Sequence, residues 1–410
     1  MSFLRFFLFI LLFLILSLSA TAQRLGYYIE GNSKKVVIPF EMHNNLIIIP
    51  LVVNDQFPLK FIFDTGVRST IFFDKNITDI FNVPYPKRIQ LRGVGNLRDI
   101  VAYIGTGIDI SYSRLHGRNL SFLVLEEDYL RLRNHLGIDI HGIVGYEFFS
   151  RFVVRINYAT EELVLIKPEH FKKGKRYRTI PLEIDDTKPY INIPLFVNDS
   201  TKMQARLMVD TGASHALVLH ADSIGPLHLP AKNIETILGR GLGGEILGNL
   251  AFVKGCKISD YELNDIIASF PQRFSYQDTL LLMMREGTIG GEILKKFTVI
   301  FDYGKEQMYL KKNGSFSMPF EYNMSGFEVI VEGKDLDQFR VHVVREGSPA
   351  DLAGVCEGDY IIELNSWKKD DLELPRIYKT LSTKDGRWIN LIVSRNGVYF
   401  KIRFRLKKEI

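Results

Sequence analysis

Two aspartates occupy matching surroundings. Phe61-Ile62-Phe63-Asp64-Thr65-Gly66 and Leu207-Met208-Val209-Asp210-Thr211-Gly212 are each an apolar run that ends in an acid, a hydroxyl and a glycine. A carboxylate at the buried end of an apolar run costs solvation free energy unless the fold compensates it or uses it. Two such acids, one in each half of the chain, suggest two carboxylates brought together. The competing reading is a structural barrel with fortuitous acids, which would leave Asp64 and Asp210 far apart.

The surroundings repeat as well. Ile38-Pro39-Phe40-Glu41 resembles Ile180-Pro181-Leu182-Glu183, and Ile49-Pro50-Leu51-Val52-Val53-Asn54 resembles Ile193-Pro194-Leu195-Phe196-Val197-Asn198. Gly142-Ile143-Val144-Gly145 matches Gly287-Thr288-Ile289-Gly290, and each leads into a short apolar helix and a strand. The offsets cluster at 144–146 residues. A solenoid needs shorter periods and more copies, so the pattern is an internal duplication of one lobe.

The elements that carry the acids read as strands. Val36 to Phe40 and Leu46 to Val53 alternate or are continuously apolar, and Asn54-Asp55 marks the turn before the strand that delivers Asp64. Asn198-Asp199-Ser200 makes the equivalent turn before Asp210. Helical signal is sparse. Downstream of each acid lies a glycine-rich interruption, Arg92-Gly93-Val94-Gly95-Asn96 and Arg240-Gly241-Leu242-Gly243-Gly244. Glycine permits positive φ and tight hairpin tips. These are ordinary β-turns or a pair of tips folding over a groove; neither has the context of a phosphate-binding loop.

Residues from about Pro319 onward have no counterpart in the repeat. Gly347-Ser348-Pro349-Ala350 begins a short helix closed by Gly354, Gly358-Asp359 enters a strand, and Leu372 to Leu381 reads as a second helix with Pro375 in its first turn. Trp388 to Val393 and Val398 to Leu406 pair across Asn396-Gly397, a strong hairpin signal.

Over residues 30–312 the chain resembles the aspartic proteases, most closely retropepsin-like bacterial members fused into a single chain. From Met324-Ser325-Gly326-Phe327 on it resembles a PDZ domain of the circularly permuted bacterial kind. The pairing is similar to exported proteins of Bacteroidota. The resemblance implies a mostly-β fold, with two duplicated retropepsin-like β-barrel lobes followed by a small α+β PDZ domain. The expected divisions are a signal peptide at 1–22, lobe one at 23–170, lobe two at 171–315 and the PDZ domain at 320–410. It implies an aspartic endopeptidase in which Asp64 and Asp210 share a proton, with Thr65, Gly66, Thr211 and Gly212 supporting the pair. It places flap tips at Gly93, Val94 and Gly95 and at Gly241, Leu242 and Gly243, and a carboxylate-binding loop at Ser325, Gly326 and Phe327. A polypeptide is the implied substrate and a C-terminal peptide the implied ligand of the PDZ groove; no cofactor or metal is implied. Two departures stand out. Val67-Arg68-Ser69 replaces the usual residues after the first acid, so that Arg68 could lower the proton affinity of the pair, contact substrate or point to solvent. The first flap lacks the tyrosine typical of pepsins. Both departures leave open a non-catalytic peptide-binding or sensing protein of the envelope.

Bulk properties agree with export. Arg5, the apolar run Phe6 to Leu16 and Ala20-Thr21-Ala22 form a signal peptide cleaved after Ala22. An uncleaved anchor is the other reading, although the run falls short of the ~20 residues a span needs. No second long apolar run follows, so no transmembrane span is expected after cleavage; the destination is periplasm, cell surface or medium. The two cysteines, Cys256 and Cys356, fall in different domains and read as two buried thiols. The net charge of +5 resides largely in Lys172-Lys173-Gly174-Lys175-Arg176, a solvated linker, and in the tail Lys401 to Lys408, where Ile402, Phe404 and Leu406 alternate with basic residues as in a half-exposed strand. No nucleic-acid reading motif accompanies the charge.

Overall fold

A computed structural model of the chain describes residues 25–92, 99–221, 227–272 and 285–410. The proposed signal peptide and the first flap tip, Gly93, Val94 and Gly95, lie outside the described residues. The protein is mostly β: four sheets account for nearly all its regular structure, and its helices are short.

The two halves repeat one local topology. In the first, strand Phe57–Phe63 runs parallel to Gly142–Val144, which pairs antiparallel with Thr70–Phe72, itself parallel to Leu115–Leu125. In the second, Lys202–Val209 runs parallel to Gly287–Ile289, which pairs antiparallel with Leu217–Leu219, itself parallel to Tyr261–Pro271. The short central strands are largely buried, Gly287–Ile289 at every position and Gly142–Val144 at both ends. Asp64 and Asp210 each follow directly on a strand of this unit.

A separate six-stranded sheet joins the halves. Its order places Lys35–Pro39, Glu162–Ile166 and Val153–Asn157 from the first half beside Phe297–Asp302, Gln307–Lys312 and Arg178–Pro181 from the second. The central pair, Val153–Asn157 against Phe297–Asp302, crosses the boundary antiparallel, as a two-fold relation between copies requires. Above it, Phe149 of the first half meets Phe63, Phe301 and Tyr303, with its ring 5.2 Å from that of Tyr303. Cys256 is buried, as the sequence suggested, but Cys356 is exposed, which corrects the reading of two buried thiols: it follows the short helix Pro349–Leu352 on a turn facing solvent. Among the described residues no helix is long and apolar enough to cross a membrane.

The C-terminal part forms its own six-stranded sheet, with Phe327–Glu332 at one edge and Val398–Arg405 at the other. The hairpin at Asn396-Gly397 has both residues at positive φ, 51° and 81°, as a type I′ turn demands. Ile402, Phe404 and Leu406 are buried while the basic residues between them face water. The helix Leu374–Ser382 packs its buried Leu374, Ile377 and Leu381 against this sheet.

Phe149 is almost fully buried where the halves meet. The Phe149→Ala variant is expected to lose about 3–5 kcal/mol of stability, the usual penalty for a large core truncation. Equilibrium denaturation in urea measures it, and a loss under 1 kcal/mol would mean that this contact does not hold the halves together.

Candidate active site

The backbone presents the two acids in the same way twice. The Asp64 N–H donates to Val144 O and the Asp210 N–H to Ile289 O, both at 2.9 Å, so the parallel neighbour strand sets the height of each acid. Gly145 and Gly290 follow those neighbours and lie against the loops that carry the acids. A Cβ on Gly145 would sit 2.0 Å from Asp64 O, and one on Gly290 would sit 2.2 Å from His215 O. The glycine of each later apolar segment is therefore required by close backbone approach.

Four hydrogen bonds lock the loops to each other. The Thr65 N–H donates to Thr211 Oγ1 and the Thr211 N–H to Thr65 Oγ1, both at 3.0 Å. The Thr65 hydroxyl donates onward to Val209 O at 2.7 Å, and the Thr211 hydroxyl to Phe63 O at 2.8 Å. Each hydroxyl thus accepts from one backbone group and donates to another across the boundary, and both threonines are buried. Within each loop the glycine N–H turns back on its own acid: Gly66 N–H to Asp64 Oδ1 at 2.5 Å and Gly212 N–H to Asp210 Oδ1 at 2.8 Å.

The grip brings the carboxyls together. A Cβ built on Gly66 would lie 3.0 Å from Asp64 Oδ1 and 3.2 Å from each carboxyl oxygen of Asp210; one built on Gly212 would lie 2.2 Å from Asp64 Cγ. No side chain larger than hydrogen fits at Gly212. Asp64 is buried and is held well above the ordinary carboxylate value of 3.8. Loss of water is the largest cause, followed by the Asp210 charge and a hydrogen bond between the two carboxyls; the Gly66 N–H and the Lys188 charge oppose them. Two like charges this close cannot both form cheaply, so the pair holds a proton. Its titration belongs to the pair and not to either acid.

Each half also extends a hairpin toward the other half's aspartate-bearing loop. Asn45 donates from Nδ2 to Ser214 O at 2.8 Å and accepts at Oδ1 from Lys295 Nζ at 2.8 Å. In the second half, Asp186 pairs with Arg68 at 3.4 Å with both side chains largely exposed, so Arg68 is turned away from the acids onto the opposite lobe. The hairpins differ in one position that matters. The strand register sets Leu46 opposite His43 in the first and Lys188 opposite Asp185 in the second. The Lys188 charge of the second half favours the ionised form of Asp64. Lys188 carries no motif and was not singled out from the sequence; its only signal was its place after the turn.

The expected second flap tip falls on the hairpin of Asn233–Gly241 and Gly244–Ile258, with Leu242 and Gly243 at its turn. It reaches across to the first half. Leu242 packs against the first-half cluster that includes Leu130 and Leu136, and Arg240 Nε donates to Tyr129 O at 3.3 Å. Glu245 in the same hairpin pairs with His342 of the C-terminal part at 2.9 Å. His135 lies edge-on to His342, with ring centroids 5.7 Å apart. Burial, then the charges of His342 and Arg240, lower His135 to about 4. Burial and Glu245 raise Glu328 to about 7. This contact between flap, first half and C-terminal part joins residues more than two hundred positions apart, and no local pattern announced it.

In the C-terminal part, Gly326 has φ +86°, and a Cβ there would lie 2.1 Å from Ser348 Cβ, so glycine is required. The Ser325 N–H donates to Asn323 Oδ1 at 3.0 Å and the Phe327 N–H to Ser325 Oγ at 3.3 Å, so two amides of the expected carboxylate-binding loop already have partners.

No protein-family model matches the chain, and no curated protein does. Among solved structures the chain is similar to the crystal structure of basic 7S globulin from soybean, at 10% identity and a TM-score of 0.42, over 70% of this chain and 97% of that one.

Two predictions follow from the grip and the buried acid. Thr65→Val leaves the Thr211 N–H and Val209 O without partners in a dry site, a loss of about 2–4 kcal/mol. Thr65→Ser sacrifices only a buried methyl, about 1 kcal/mol. Equal losses in the two variants, measured by urea denaturation, would remove the hydrogen bonds from the explanation. The pair keeps a proton above 3.8 in the folded chain, a proton that the unfolded chain has released. Stability contributed by Asp64 is therefore present at low pH and lost as pH rises from about 3.8. Asp64→Asn should gain on the wild type between pH 4 and pH 7; parallel stability curves would contradict a raised Asp64.

Proposed function

We propose that the chain is an aspartic endopeptidase, with two retropepsin-like lobes and a C-terminal PDZ module. The observation that carries this reading is the pair of carboxyls, one from each half, brought so close by crossed threonine bonds that both lie within 3.2 Å of the point a Cβ on Gly66 would occupy. A shared proton gives the pair one base and one acid at once. The ionised carboxylate takes a proton from a water between the acids, and the water oxygen attacks the peptide carbonyl carbon. The protonated carboxyl gives its proton to the carbonyl oxygen, forming a tetrahedral gem-diol. Collapse of that diol breaks the C–N bond as a proton passes to the leaving nitrogen, and the roles of the acids reverse. No covalent enzyme intermediate is required.

The asymmetry of the site supports this division of labour. Lys188 favours the ionised form of Asp64, whereas burial and Asp210 disfavour it. The flap hairpin across the cleft excludes water from the reacting bond, which strengthens every charge interaction beneath it. The amino-terminal segment supports export, with the substrate a polypeptide met outside the cytoplasm. The C-terminal sheet offers an edge strand to which an extended peptide could add, the binding mode of PDZ domains.

Asp210→Asn should abolish cleavage of unfolded protein substrates in mildly acidic buffer while leaving the fold intact by circular dichroism. A peptide carrying a statine hydroxyl, which mimics the gem-diol, should bind the wild type and not this variant. Cleavage by Asp210→Asn at the wild-type rate would refute the catalytic pair. Tight peptide binding with no cleavage by either form would favour the sensing protein instead.

A further inference from the structure

The outer edge of strand Phe327–Glu332 is already capped. In an edge strand, alternate residues turn their carbonyls outward, free to pair with an added strand. Val341, which faces Val329 in the register, gives its N–H to Asp359 O on its other side, so Val329 is turned outward. Val329 O accepts from Tyr378 Oη at 3.0 Å, Val331 O accepts from Asn134 Nδ2 at 2.8 Å, and Gly333 O accepts from Arg133 Nη1 at 3.2 Å. The successive outward carbonyls at 329, 331 and 333 are therefore all occupied. Tyr378 comes from the module's own helix, but Arg133 and Asn134 come from the first half of the chain. Gly137, which ends their helix, lies between the module's Leu374 and Val331; a Cβ there would be 3.4 Å from Leu374 Cδ1 and 3.6 Å from Val331 Cγ1.

The same short segment holds the flap. Tyr129 O accepts from Arg240, Leu242 packs against the cluster to which Leu130 and Leu136 belong, and His135 faces His342, which in turn bonds Glu245. The stretch from Tyr129 to Gly137 thus touches the tip of the flap hairpin on one side and the module's strand edge on the other.

We propose that residues 129–137 are a latch: by occupying the edge of strand Phe327–Glu332 they hold the flap hairpin Asn233–Ile258 down across the cleft, and an extended polypeptide taking that edge displaces Arg133 and Asn134 and releases the flap. This rests on the proteolytic reading only for its consequence, since the latch itself is a contact between three parts of the chain. The charges around it, Arg131, Arg133, Asp139, Arg240 and Glu245, are of both signs, so the latch is held by directional hydrogen bonds and packing rather than by net attraction. Its regulatory meaning is that a chain bound at the module opens the route to the acids.

The test is hydrogen–deuterium exchange on the full chain carrying Asp210→Asn, which keeps the readout independent of cleavage. Arg133→Ala with Asn134→Ala should raise exchange at least fivefold both in 327–332 and in the hairpin 233–258. Tyr378→Phe uncaps Val329 O from the module's own side and serves as the control: it should raise exchange in 327–332 alone. An unchanged hairpin in the double variant, or a hairpin equally loosened by Tyr378→Phe, would overturn the latch. With the catalytic acids restored, the double variant should cleave unfolded substrate several-fold faster. Hairpin opening without cleavage by any form would keep the latch and refute the protease.

Discussion

The structure turns on a repulsion that the fold enforces. Asp64 and Asp210 would separate if their loops were free, because bringing two carboxyls together out of water is unfavourable unless a proton lies between them. What prevents separation is the crossed pair of buried threonines, each bonded to the backbone on both sides of the boundary. Those bonds are short, shielded from water and reciprocal, so neither loop can move without orphaning groups in the other. The glycines that follow complete the arrangement, because any side chain at Gly212 would stand where the Asp64 carboxyl is.

The rest of the two halves serves to deliver those loops at one height. A short, largely buried strand supports each acid from beneath, and the shared six-stranded sheet keeps the halves in register. Duplication supplies two equivalent acids, but their surroundings are not equivalent. The difference comes from the edges of the repeat: Lys188 stands where the first half has Leu46, and Arg68 is drawn off to Asp186. Symmetry builds the site, and a few unmatched side chains polarise it.

Much of this was legible in the residues. Apolar runs that end in Asp-Thr-Gly marked the acids, because a strand with both faces buried leaves an unbroken hydrophobic signature and a turn residue ends it. Asn54-Asp55 and Asn396-Gly397 marked hairpins, because positive φ at both central positions selects those residues. The exposure of Cys356 was not legible: a lone cysteine reads as a small apolar residue, and only its place on a solvent-facing turn decides otherwise. Arg68 had several readings from the sequence, and the partner that chose among them lies 118 residues away.

The chain by itself determined the duplicated strand order, the turns that join the strands and the positions of the two acids, because these depend on neighbours in sequence: side-chain period, glycine where φ or space demands it, and burial of contiguous apolar stretches. Only the tertiary structure decided that the Lys188 charge acts on Asp64, that the flap hairpin crosses to Tyr129, and that Arg133 and Asn134 cap an edge of the C-terminal sheet. Such contacts are made by single exposed or half-buried polar groups of any local composition, and their partners are chosen by the packing of whole sheets, which no short window of sequence contains.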